Sequence, residues 1–470
     1  MNKKLLVGLI ALILILVLTL SVTACNFWSS MNSTSSSSSS SKNDDNNIST
    51  PDEPKRDPLD YSNTFWLVDY FFNNFSIFDI DYETAMLAAI RAYVEATGDK
   101  YAVFYTPEEL EALFTENNGD LYGIGVQVIF DYKEYFMEIV LIMPDSPALS
   151  YLQIGDKVTH IYIDGEKIAL ADVVAENIAK AKEIYPTYTE EELNNVACYD
   201  AFQYAVANLK GPEGTYAKFT VDRDGKEIEM EIQRAKVKTV SVTCKTSIKD
   251  SSIGIVSISQ FDLTTPVQFK ECMDKLVAQG CNKFVFDVRN NPGGDLASLV
   301  AVVSTLLEKD DVILTTKDSS GKVETTKVKT VNYSVSSGYS TCNVTNSDIG
   351  KYKGYEFVVL ANENSASAAE LFTANLRDHG LAQIVGTKTY GKGSVQSIVD
   401  LSAYGSEYYG GLRLTTKLYF PPCGEGYDGG IGIEPNYNVE LEGKAAETHF
   451  YKLTEEIDNQ LQKAVSLLID

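Results

Sequence analysis

The sequence predicts a mixed α+β and α/β chain of several domains: a helical N-terminal segment, a small β-rich domain and an α/β core whose sheet is covered by helices. Three observations predict it. Apolar residues first recur at helical spacing; the period then changes at Tyr122 to glycine turns and short strands; from Ile253 onward, apolar strand-like runs alternate with helical ones. The 470 residues leave room for about three such units. Lys and Arg total 40 against 65 Asp and Glu, a net charge of −25. That field repels phosphate backbones, so a nucleic-acid partner is not expected. Apolar residues at 44% and charged ones at 22% exclude wholesale disorder and a polytopic membrane protein.

The chain opens with Lys3 and Lys4, followed by the uncharged run Leu5 to Val22 and then Thr23-Ala24-Cys25. A short basic region ahead of an apolar run reads as an export signal. A small residue before a cysteine resembles a bacterial lipobox, which implies lipidation at Cys25 after removal of residues 1–24. The alternative is an uncleaved signal anchor, since 18 apolar residues just span a bilayer. Either reading tethers the protein to the outer face of a membrane. Residues 25–58 are Ser-, Asn- and Asp-rich, too poor in apolar side chains to repay ordering, and read as the tether.

Folded sequence starts near Leu59. Met86, Leu87, Ile90, Tyr93 and Val94 share a helix face, with Gly98 as a stop, and Thr106-Pro107-Glu108-Glu109 is a capping box opening a second helix. Residues 59–118 are therefore expected to be helical. Gly123-Ile124-Gly125-Val126 is then a glycine turn running into a strand, with Pro147, Gly155-Asp156 and Asp164-Gly165 punctuating further strands. A lone GxG turn is most simply a hairpin turn. Here it is followed by SPA, GDKVTHIYIDG and LKGPEGTYAKFTVDRDG. Together these resemble the PDZ domain of the carboxyl-terminal processing (tail-specific) serine peptidases. The resemblance implies that backbone amides at Gly123, Ile124, Gly125 and Val126 hold a peptide's terminal carboxylate while the peptide adds to the sheet edge. The domain is expected over 119–238, with a helical insertion at about 169–208.

Residues 239–445 are expected to form the peptidase core, and 446–470 a C-terminal helix. Strand-like Ile253 to Ile258 and Lys283 to Val288 flank a helical run, and the second strand ends in Asn291-Pro292-Gly293-Gly294. A glycine pair at a strand end lets amides face a ligand, although it could equally be a plain turn. The strand Tyr355 to Ala361 runs into Asn364-Ser365-Ala366-Ser367-Ala368-Ala369-Glu370. Ser367 and Glu370 fit a capping box, in which the hydroxyl serves the helix alone. The next strand ends in Gly391-Lys392-Gly393-Ser394-Val395-Gln396. A buried lysine there could accept a serine proton, with Gln396 orienting the amine.

FDVRNNPGG, SASAAE and TYGKGSVQ, in this order, resemble the catalytic core of the same peptidase family. The resemblance implies Ser367 as nucleophile, Lys392 as general base and Gln396 as its partner, with oxyanion donors at Ala368 and in the Gly293-Gly294 pair. It also makes Asp378 structural. The expected substrates are proteins or peptides with accessible C-termini, cut by a Ser-Lys(-Gln) mechanism without a cofactor. The three histidines and the absence of C-x-x-C predict no metal. The G-x-x-x-x-G-K run from Gly386 fails as a P-loop because Gly393 offers no hydroxyl. His379 is too far down the helix from Ser367 to be its base. The alternative of another class is a catalytically silent PDZ protein that binds peptides without turnover. The six cysteines after Cys25 leave their pairing open.

Overall fold

The computed structural model describes residues 61–117, 120–334, 341–405 and 408–469. The expected signal, the lipidated Cys25 and the tether lie outside them. Contacts group the described residues into two compact units, one formed within 114–393 and 418–469, the other within 61–113 together with 394–417. No helix among the described residues is long and apolar enough to cross a membrane. The protein is a mixed α+β structure with several sheets.

The larger unit includes two six-stranded sheets. The first, with the two-stranded sheet beside it, is built from β1 (Asp120–Gly123), β2 (Val126–Phe130), β3 (Met137–Ile142), β4 (Lys157–Ile163), β5 (Glu166–Ala169), β6 (Tyr216–Arg223), β7 (Lys226–Gln233) and β8 (Ala235–Lys238). Its main order is β2-β3-β4-β6-β7, with β5 on β4, while β1 pairs β8 separately. Between β5 and β6 run α1 (Leu170–Ile184) and α2 (Glu190–Leu209), the two helices expected from the insertion. Thr189 caps α2 with a reciprocal Glu192 box. Leu193, Ala197, Ala201 and Ala205 recur every four residues, so small side chains let α2 lie close against Met137, Ile161 and Phe219. Asp156, almost wholly buried, is held by Arg223 at 2.6 Å. Burial pushes its carboxyl up, and the Arg223 bonds outweigh that and hold it low.

The second sheet carries the motif-bearing turns singled out from the sequence. Its strands are β9 (Val242–Thr246), β10 (Ile253–Ile258), β11 (Lys283–Asp287), β12 (Glu356–Ala361), β13 (Ala382–Gly386) and β14 (Tyr437–Asn438), in that spatial order. All neighbours are parallel except β9 with β10. The near-continuous apolar runs in β10 to β13 reflect burial on both faces. On one face α3 (Thr265–Ala278), α4 (Leu296–Ser304) and α5 (Ala368–Asp378) supply cover, with Phe269, Phe286 and Phe372 in ring contact. On the other, Ile255, Val285, Leu360 and Val385 pack against Leu461, Ala464 and Val465 of α6 (Asn459–Ser466). The last helix is shorter than 446–470, because the Asp458 side chain caps it at Leu461 and the stretch before it is spent on turns. Asp458 also holds Arg289, which pairs with Asp287 at the end of β11, in a buried ion cluster.

In the smaller unit, the helices Tyr61–Phe75 and Tyr82–Ala96 precede a strand, Val103–Tyr105, that the sequence reading did not separate from its helical surroundings. That strand pairs with Gly411 to Arg413. The Thr106 capping box forms as expected: Thr106 N donates to Glu109 at 2.9 Å and Glu109 N to Thr106 Oγ1 at 3.3 Å.

Candidate active site

Parallel α/β sheets present their strand ends to ligands, and three adjacent strand ends here carry the segments singled out from the sequence. The turn after β11 holds Gly293 and Gly294, the turn after β12 holds Ser367, and the loop after β13 holds Lys392. The turns are laced together by backbone: Ala366 N donates to Asn291 O at 2.9 Å and Tyr390 N to Ser365 O at 3.0 Å.

Two serines lie in the second turn, with different surroundings. Ser365 is fully buried and its hydroxyl is committed, donating to Val288 O at 2.8 Å and accepting from Asn362 N at 2.9 Å. Ser367 is partly exposed and sits at φ 55°, ψ −115°, a conformation that costs a non-glycine residue about 1–3 kcal/mol. Such strain persists only where surrounding bonds enforce it. The Glu370 carboxylate enforces it, accepting from Ser367 N at 2.9 Å.

Glu370 does more than the capping role read from the sequence. Fully buried, it also accepts from Thr389 Oγ1 at 2.6 Å, Gly391 N at 2.7 Å and Lys392 N at 2.9 Å. One carboxylate thereby fixes the backbones of both Ser367 and Lys392. Burial raises its proton affinity, and the four donors only partly offset that. The Lys392 side chain is buried, which is unusual for an ammonium-bearing residue. Its flanking glycines are dictated by close approach, since a Cβ at Gly391 would meet Gly430 backbone at 2.5 Å and one at Gly393 would meet Asp428 at 2.8 Å.

Tyr419 completes the cluster and carried no signal in the sequence beyond a strand residue. Its phenol, pushed well up by burial, donates to Lys392 O. Gln396 lies on the strand Ser394–Asp400 of the smaller unit, where its Nε2 donates to Ser394 Oγ at 3.1 Å and Thr415 Oγ1 at 3.3 Å. Asp378 receives Arg377 and the Cys423 amide, and His379 Nε2 lies 2.9 Å from Val312 O.

Gly293 faces the serine directly. A Cβ there would lie 2.8 Å from Ser367 Cβ and 2.9 Å from Ala368 N, and its φ of +102° suits glycine. Its own amide donates to Asn291 Oδ1 at 2.8 Å. Ala368 N, at the start of α5, donates to no backbone carbonyl among the described residues. Gly293→Ala is therefore expected to crowd the space before Ser367 and strain the turn, lowering any peptide cleavage about 100-fold through misplacement of the serine. Turnover measured on a protein of unchanged circular dichroism checks this.

Asp295, next along, caps α4 by accepting Ser298 N at 2.6 Å. Burial pushes its carboxyl up to about 6; the Ser298 bonds oppose this and the Asp262 charge adds to it. Its folded value thus lies above the ordinary 3.8, so its contribution to stability is whole below 3.8 and is lost as pH rises through about 6. Asp295→Asn, which still caps a helix, is expected to raise stability by about 1–3 kcal/mol at pH 7.5 and much less at pH 4.5. Denaturant titrations at the two pH values check it.

The glycine loop of the first sheet lies on β2, an edge strand. Ile124 O and Gly125 O accept from Ala148 N at 3.0 Å and Met143 N at 2.9 Å. The Ile124 and Gly125 amides donate to no backbone carbonyl among the described residues. Gly125 is at φ +79°, and the Ser146 side chain fills the place of its missing Cβ. Across from β2, Phe130 meets Phe202 of α2 with ring centroids 6.0 Å apart. No group of three or more possible metal ligands occurs among the described residues.

Residues 252–439 match the family model of peptidase family S41. Over 355 residues the chain is 29% identical to a CtpA-like serine protease of Staphylococcus haemolyticus, covering 75% of this chain and 59% of that one. Over 356 residues it is 28% identical to a CtpA-like serine protease of Staphylococcus aureus, covering 75% and 60%. The match thus spans about three fifths of the length of these relatives. Among solved structures, the photosystem II D1 C-terminal processing protease aligns at 19% identity and a TM-score of 0.41, covering 82% of this chain and 90% of that one. The chain is thus similar to CtpA-like serine proteases, and the span 252–439 that matches the S41 model holds Gly293, Gly294, Ser367, Lys392 and Gln396.

Proposed function

We propose that the chain is a serine endopeptidase of the C-terminal processing type, acting outside the cytoplasm on proteins or peptides with accessible C-termini. The observation that carries this reading is the Glu370 carboxylate, which ties the backbones of Ser367 and Lys392 to one point at adjacent strand ends. In the proposed reaction Ser367 Oγ attacks the scissile carbonyl carbon while its proton passes to the neutral Lys392 amine, with Gln396 as the lysine's partner. The oxyanion is held by the Ala368 amide and the glycine turn. Lys392 then protonates the departing amine, and water, deprotonated in turn by Lys392, hydrolyses the acyl-enzyme.

Residues 119–238 are proposed to act as a PDZ domain. The Gly123–Val126 loop would take the terminal carboxylate, and the peptide would add to the β2 edge beside α2. Residues 239–445 would form the peptidase core, 59–118 and 446–470 flanking it. A lipid on Cys25, or an uncleaved anchor, would hold the body at the membrane.

Two outcomes test the proposal. A peptide with an apolar free C-terminus should be cleaved at least about 10-fold faster than its C-terminal amide, because the loop amides lose their carboxylate. Equal rates would overturn carboxylate capture, and retention without any cleavage would establish the silent binder instead. The rate should also rise from acid to alkaline pH, because only the neutral amine accepts a proton; a flat profile would remove Lys392 as base.

A further inference from the structure

Three cysteines that the proposed reaction does not use converge at one edge of the core sheet. Cys244 lies on β9, the edge strand, Cys272 on α3, and Cys281 just before β11. Helix and strand are zipped together stepwise. Thr265 Oγ1 lies 2.8 Å from Ser241 Oγ, and one turn later Gln268 Oε1 accepts the Ser241 and Val242 amides at 3.0 and 3.1 Å. Positions 265, 268 and 272 share a helix face, and 242 and 244 share a strand face. The next step of the zipper therefore sets Cys272 against Cys244. Both thiols there are free and partly exposed. Cys281 is different: it is buried, and its thiol donates to Ser251 O at 3.4 Å.

We propose that Cys244 and Cys272 form a reversible disulfide that staples the edge strand to the helix. Thiols set opposite each other by the zipper need only a local approach to reach the roughly 2.05 Å of a sulfur–sulfur bond. Burial, and then the contact with Cys244, holds the Cys272 thiol protonated, so the first attack comes from Cys244 on the sheet edge. Its thiolate attacks a small-molecule disulfide and releases one thiol. Cys272 then gives up its proton and attacks the Cys244 sulfur of the mixed disulfide, releasing the second thiol. Two protein thiols are oxidised by two electrons, and one disulfide is reduced to two thiols.

The bond would close the segment that supports the candidate active site. Between the two cysteines lies Phe261, whose amide donates to Gly293 O at 2.8 Å and whose carbonyl accepts Asp295 N at 2.5 Å. Oxidation would thus brace the strand–helix pair from which the glycine turn hangs.

The test uses the full chain, reduced and then exposed to oxidised glutathione, with remaining thiols blocked before digestion and peptide mapping by mass spectrometry. The expected result is one linked peptide pair joining Cys244 and Cys272, the loss of two titratable thiols, and full reversal by dithiothreitol. Oxidation should also raise the melting temperature by about 5 °C or more, a shift absent in Cys244→Ser and retained in Cys281→Ser. A link through Cys281, a glutathione adduct that does not resolve, or untouched thiols would each overturn the proposal, and the wild-type map decides without any variant.

Discussion

Ser367→Ala is expected to abolish peptide-bond cleavage while leaving the fold and peptide capture in place. The bond that enforces the strained turn is made by the Ser367 amide to Glu370, which alanine keeps. The hydroxyl takes no part in the backbone bonds that lace the three turns, so its removal leaves them intact. Loss of a covalent nucleophile costs about 10⁴–10⁶ in kcat, far beyond a loss of positioning. Product analysis by mass spectrometry, with a melting temperature within a few degrees of wild type, checks the result. Ser365→Ala should behave in the opposite way. Its hydroxyl ties the β11 and β12 ends together, so stability falls first.

Glu370→Ala is expected to have the largest effect on stability of any single change in the site. Four donors converge on this carboxylate, three of them backbone amides, and alanine leaves them without their acceptor in a region closed to solvent. At about 1 kcal/mol or more for each buried group, the loss is on the order of 3–5 kcal/mol. Activity should fall by a further factor of about 100 even well below the melting temperature, because the serine and lysine loops lose their common anchor. Glu370→Gln should rescue only part of either loss, since its amide nitrogen turns a donor toward amides that need an acceptor. Thermal melts and single-turnover rates separate the two effects. Activity that tracked the unfolded fraction alone would reduce Glu370 to a scaffold residue.

What the sequence made legible was the local part of this architecture. The apolar runs of β10 to β13 are fully buried strands, the insertion after Ile168 is two helices, and the motifs sit at strand ends where an α/β sheet presents its chemistry. Local spacing also made Glu370 readable as a cap. Its other three bonds reach 19 to 22 residues on, through a loop whose path no local pattern specifies. Tyr419 was illegible for the same reason: a strand tyrosine in alternation gives no hint that its phenol reaches the Lys392 carbonyl. Arg289, inside the DVRNNPGG motif, is held by Asp458 169 residues away, so the last helix packs on the core through a non-local ion cluster. The strand Val103–Tyr105 was missed because three residues are too short for a period, and its existence depends on a partner at Gly411 to Arg413.

The central claim is that Ser367 is the nucleophile and Lys392 its base, and covalent labelling tests it most directly. The full chain is treated with a serine-directed fluorophosphonate, and the adduct is mapped by mass spectrometry. The account predicts a single adduct on Ser367, absent in Ser367→Ala and formed at least about 100-fold more slowly in Lys392→Met. An adduct on Ser365, or labelling of Ser367 at an undiminished rate without the lysine, would contradict it.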